Sequence, residues 1–177
     1  DAYAKQLQAR RDPTVNGLSF AFDKLVKSPK KVIFAEGEQP EIIRVASMWH
    51  ENGYGEPILI GKKDRILASM KEMSIDPKGI NIYNAAISDS NSQYTDHLYK
   101  KLQREGVLYS DCARMVKLDR NIFAASMLEC NGGDALITGL TRGYKISLSD
   151  VWKVVKNKSN EIIMGLSMVI AKHRTVF

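Results

Sequence analysis

Only two of the 177 residues are cysteine and only three are histidine, and these scarcities remove several classes of protein at once. Cys112 and Cys130 are too few and too far apart for a disulfide scaffold, so both are expected reduced and packed. His50, His97 and His173 lie scattered, without the Cys/His spacing of a metal centre, so no metal is assigned to this chain. No apolar run approaches the roughly 20 residues that span a bilayer, and no basic-then-apolar leader opens the chain. Internal repeats and low-complexity tracts are lacking too. The expectation is a cytoplasmic domain without membrane contact.

What is present is ordinary for a globular domain: 44% hydrophobic and 26% charged residues. The formal net charge of +6 raises the question of nucleic acid. The lysines answer it, because Lys30/Lys31, Lys62/Lys63, Lys100/Lys101 and Lys153/Lys156/Lys158 fall as short groups on separate segments. They are not interleaved with aromatics that could stack on bases, so no nucleic-acid partner is expected. Solvated helix faces account for them, with attraction of a phosphorylated small ligand as the second reading.

The pattern along the chain predicts strands alternating with helices. Leu18, Phe22, Leu25 and Val26 share one face of a helix over 14–27, which Ser28-Pro29 ends. Lys31–Ala35 reads as a buried strand running into the acidic loop Glu36-Gly37-Glu38, and Pro40 opens a helix. A turn at 52–57 leads to a second strand over 57–61. Strand, helix and strand in so few residues form a βαβ unit, hence a parallel sheet with helices on its faces. A helix over 64–73 and a short strand over 80–83 follow. Helices over 93–105 and 110–129 come next, then a helix stop at Asn131-Gly132-Gly133-Asp134 and a fourth strand over 135–139. Ser147 and Asp150 have the spacing of a capping box for a helix over 147–156. Residues 162–171 read as an apolar strand with no partner behind it, as if the chain were truncated.

Three strings carry a resemblance: Phe34-Ala35-Glu36-Gly37-Glu38, Pro57-Ile58-Leu59-Ile60-Gly61 and Gly132-Gly133-Asp134-Ala135-Leu136-Ile137-Thr138-Gly139. In this order and spacing they resemble the phosphate acetyltransferase and butyryltransferase family. The opening Ala2–Arg10 resembles the linker joining the malic enzyme part of bacterial NADP-dependent malic enzymes to a transferase-like C-terminal domain. The resemblance implies a three-layer α/β/α sandwich with a mostly parallel sheet, the first lobe of a two-lobed phosphotransacetylase-like domain. It divides the chain into a linker and lead-in helix over 1–28, the first lobe over 29–157, and the start of a second lobe over 158–177. For the parent polypeptide it implies oxidative decarboxylation of malate to pyruvate with NADP and a divalent metal. It assigns no cofactor to this segment, and places the malic enzyme domain in cis.

Ligands of open α/β sheets bind beyond the carboxyl ends of strands, which puts Glu36 and the loop Thr138–Tyr144 where a site belongs. By resemblance, Thr138, Gly139, Thr141 and Arg142 belong to an acyl-CoA or phosphate pocket, with Arg142 its surviving cation. An ordinary strand-to-helix loop fits the same residues. Glu36 and Glu38 either orient a ligand or complement a helix dipole. Acyl transfer between phosphate and coenzyme A needs cations on the phosphate, donors for the oxyanion and a base for the thiol. Active relatives place two substrate-binding arginines where this chain has Leu102 and Ser149, and neither replaces a bidentate guanidinium. Arg104, two residues beyond Leu102, points elsewhere on a helix. Their remaining catalytic residues come from the last third of the domain, beyond the segment matched here. No catalytic residue is therefore assigned, and Trp49, Trp152 and Met115, Met127, Met164 and Met168 are read as packing. The expected role is binding acetyl-CoA, or a related effector, and holding a homo-oligomer together. An active phosphate acyltransferase is the alternative.

Overall fold

The computed structural model describes residues 21–156, 169–171 and 174–176. The chain divides into two compact units, Pro29–Lys156 and a second made of Asp1–Ser28 with Asn157–Phe177. The first unit holds β1 (Val32–Phe34), α1 (Pro40–Glu51), β2 (Pro57–Ile60), α2 (Lys63–Glu72) and β3 (Asn81–Tyr83). It continues with α3 (Asn91–Leu102), α4 (Tyr109–Leu118), α5 (Arg120–Glu129), β4 (Ala135–Ile137) and α6 (Tyr144–Val154). The strands form one sheet in the order β3-β2-β1-β4, parallel throughout.

The central strands are apolar at every position because helices cover both faces. Val32, Phe34 and Leu59 pack with Ile43 and Ala46 of α1 and with Ile66 and Met70 of α2. Ile33, Ala35, Ile58 and Ile60 face the other way, against Leu98 and Leu102 of α3, Cys112 and Val116 of α4, and Phe123 of α5. The outcome is the parallel sheet with helices on its faces that the alternating pattern predicts, and the α/β/α sandwich that the resemblance implies. Trp49 is part of the first cluster and Met127 and Met115 of the second, while Trp152 is 46% exposed. Both cysteines are free; burial, aided by Asp111 beside Cys112 and Glu129 beside Cys130, pushes each thiol up. Among the described residues no helix is long and apolar enough to cross a membrane.

Gly37 explains its own presence at the end of β1. A Cβ built there meets Leu59 Cβ at 2.8 Å and the Ile60 nitrogen at 2.9 Å, so any side chain would push β1 and β2 apart. The close approach lets the Gly37 amide donate to the Ile60 carbonyl at 3.1 Å.

Two local expectations are corrected. The run over 110–129 is two helices, because Asp119 is extended (φ −109°, ψ 114°) and caps α5 through its Oδ1, which accepts from the Asn121 and Ile122 amides. Helix α6 starts at Tyr144 with Gly143 as its cap, so Ser147 and Asp150 lie inside it and form no capping box. The helix stop expected at Asn131–Asp134 is present, as a Schellman turn: Asn131 has φ +60°, the Gly132 amide donates to Met127 O and the Asn131 amide to Leu128 O.

In the second unit, residues 21–27 are helical. Val169–Ala171 (β5) pairs antiparallel with Arg174–Val176 (β6), so this end of the apolar run does have a partner within the chain. Residues 14–20 and 162–168, with Leu18, Met164, Met168 and His173, lie outside the described residues.

Candidate functional site

The chain runs from β1 to β2 and β3 on one side, then returns to place β4 on the other side of β1. The crevice beyond the carboxyl ends of β1 and β4 is therefore the point where strand order reverses, the usual ligand position in such sheets. Ile33 pairs with Leu136 and Phe34 with Ile137, and the Ala35 amide donates to the Ile137 carbonyl. Continuing one residue further, Glu36 meets the loop that leaves β4.

Glu36 is 1% exposed and all its acceptor capacity is used. Its Oε2 accepts from the Leu140 amide at 2.7 Å and the Thr141 amide at 3.1 Å. Its Oε1 accepts from Thr141 Oγ1 at 2.9 Å and from Arg120 Nη2 at 3.0 Å. Two consecutive loop amides, a hydroxyl and a guanidinium converging on one carboxylate resemble what a phosphate meets at such a loop. Here the anion belongs to the chain itself. The Glu36 carboxylate meets the loop after β4 rather than the first turn of α1, so it does not complement that helix's dipole. Glu38 takes the helix-terminal role, at α2: it accepts from the Lys62 amide at 2.9 Å and pairs with Arg65. Burial raises the Glu38 carboxyl, but the Lys62 amide and Arg65 outweigh it and hold the group below the usual carboxylate range.

Arg142 is likewise engaged. Its Nη1 donates to Asp119 Oδ2 at 2.7 Å and to Asp150 Oδ2 at 3.1 Å, and Lys153 also reaches Asp150. The hydrogen bond to Asp119, with the charges of both aspartates, outweighs burial and pushes the Arg142 pKa up. The expected surviving cation is thus already neutralised. Thr138 donates to Asn121 Oδ1 at 2.7 Å. Gly139 has φ +101°, a left-handed conformation that a side chain would strain.

The structure thus gathers Glu36, Thr138, Gly139, Thr141 and Arg142 at one place, in a network of hydrogen bonds and ion pairs within the chain that leaves the buried Arg120 Nε and Asn121 Nδ2 without a partner among the described residues. Three members of that network were missed from sequence: Asp119, Arg120 and Asn121, at the break between α4 and α5. An N-capping aspartate inside an apolar run is the signal that could have found them. Of the positions where the resemblance expects arginines, Leu102 is 3% exposed within the core, and Ser149 is exposed on α6. Arg104 is exposed beyond α3. Lys101, beside Leu102, is spent on Glu129 Oε2 at 2.6 Å and on the Val154 carbonyl. Among the described residues no group of three His, Cys, Asp or Glu could hold a metal ion.

The profile of the family described as Phosphate acetyl/butaryl transferase matches residues 19–177. A probable NADP-dependent malic enzyme of Rickettsia prowazekii is 48% identical over 99% of this chain and 23% of its own length. The NADP-dependent malic enzyme of Rhizobium meliloti is 38% identical, again over 99% of this chain and 23% of its own length. The chain thus spans less than a quarter of these curated relatives. Among solved structures, the EutD phosphotransacetylase from Staphylococcus aureus superposes with a TM-score of 0.77 at 17% identity, over 86% of this chain and 46% of that one.

Proposed function

Because this chain belongs to the phosphate acetyl/butaryl transferase family, we propose that it is the transferase-like segment of an NADP-dependent malic enzyme, working without acyltransferase chemistry of its own. The intact protein then converts malate and NADP to pyruvate, carbon dioxide and NADPH, with a divalent metal held elsewhere. This segment's part is to bind an acyl-CoA effector, acetyl-CoA in the first place, and to hold subunits of a cytoplasmic homo-oligomer together. Exposed Ile146 (60%) and Trp152 (46%) on α6 offer apolar surface for that second task.

One observation carries the non-catalytic reading: Arg120, Arg142 and Lys153 at the switch point are each paired with a carboxylate of the chain. Arg120 answers Glu36, Arg142 answers Asp119 and Asp150, and Lys153 answers Asp150. Phosphoryl oxygens in acyl transfer need cations that strengthen their grip in the transition state. A guanidinium held by two carboxylates would first have to abandon them.

Titrating acetyl-CoA into NADP-dependent malate oxidation by the intact protein tests the proposal. A saturable change in rate is expected. No response to any acyl-CoA would overturn the effector role.

A further inference from the structure

Beside the ion pairs lies a cleft of about 400 Å³ that shares Thr138 and Gly139 with the network but none of its charged side chains. Leu128 of α5, Leu136 of β4, Leu148 and Val151 of α6 and Val155 just past its end form its apolar walls. Ser147 lies in its wall at the loop end, 4% exposed, and its Oγ has no hydrogen-bond partner among the described residues. A buried hydroxyl without a partner is costly, and points to a group that completes it. Gly139 preserves the space there: the nearest atom to a Cβ built on it is Ser147 Oγ, at 4.0 Å. None of Arg120, Arg142 and Lys153 lines this cleft. Its chemistry is therefore that of an uncharged ligand with an apolar body and one polar end.

We propose that this cleft binds the acyl end of a thioester longer than acetyl, its carbon chain against Leu136, Leu148 and Val151 and its carbonyl on Ser147 Oγ. The proposal rests on the acyl-CoA reading above and narrows it to the acyl group. The volume falls within the roughly 300–1,000 Å³ of small-molecule sites, and a lone methyl would leave most of the apolar wall uncovered. Each methylene moved from water to that wall should tighten binding about fourfold.

Calorimetric titration of the intact protein with the N-acetylcysteamine thioesters of acetate, butyrate and hexanoate tests this, since these probes are neutral and lack the nucleotide. Affinity should rise about tenfold or more from acetyl to butyryl and again to hexanoyl. Ser147→Ala should weaken butyryl binding about fivefold, and Val151→Phe should abolish the gain from chain length. Circular dichroism and a thermal melt establish that each variant is folded; if Val151→Phe is not, the chain-length series and Ser147→Ala decide. A flat series, no binding of any neutral thioester, or a series unchanged in Ser147→Ala overturns the assignment. A flat series with acetyl-CoA still altering malate oxidation overturns the cleft alone. A steep series with no acyl-CoA effect on malate oxidation supports the cleft and overturns the effector role instead.

Discussion

Replacing Glu36 with alanine is the perturbation on which the site's geometry bears hardest. The carboxylate receives four donors: the Leu140 and Thr141 amides, Thr141 Oγ1 and Arg120 Nη2. Removing it leaves two backbone amides without their acceptor, each worth about 1–3 kcal/mol if water does not replace it. Arg120 has 30% of its side chain in solvent and recovers part of its hydration, so its share is smaller. Breaking one partner out of a buried ion pair costs about 3–5 kcal/mol in comparable cases, and that range is expected here. For a domain of this size the melting temperature should fall by roughly 6–20 °C. Hydrogen exchange gives the local readout, because the Leu140 and Thr141 amides should lose protection ahead of those in β1. Glu36→Gln, which keeps one acceptor oxygen, should lie between. A loss below about 1 kcal/mol with both amides still protected would refute the argument that Glu36 holds the loop.

Two further outcomes follow from the same contacts. Glu38 titrates below its unfolded value, so its stabilising contribution is complete above about pH 4.3 and is lost as pH falls through the lower folded value. Glu38→Gln should therefore melt below the natural protein at pH 7, and the gap should close in acid; a gap that widens in acid would reverse the sign. Asp119 caps α5 and pairs with Arg142, so Asp119→Ala should cost about 1–2 kcal/mol by urea denaturation, with Asp119→Asn recovering much of the cap. Equal losses in the two variants would show that the cap contributes nothing.

Apolar periodicity made the layers legible, since β1 and β2 are continuous runs and α1 announces itself with Pro40 and buried Ile43 and Ala46. It hid the break at Asp119, because Cys112, Val116, Ile122 and Phe123 keep up an apolar pattern across two helices packed on one face. The start of α6 was hidden by a false capping signal: Ser147 and Asp150 have the spacing of a box, while the backbone turns at Gly143. The site was legible as a set of residues and illegible as a network. Glu36 finds Leu140 across 104 positions, a meeting that depends on β4 lying beside β1, and strand order leaves no mark on local hydrophobicity. Arg142 looked free because Asp119 approaches it from another element.

Exchange between acetyl phosphate and coenzyme A, measured on the intact protein, tests most directly whether this segment has kept the fold without the chemistry. With Leu102 in the core, Ser149 at the second arginine position and Arg142 held by two aspartates, no acetyl-CoA formation above the uncatalysed rate is expected. Turnover in the ordinary enzymatic range, about 1–1,000 per second, would contradict the account.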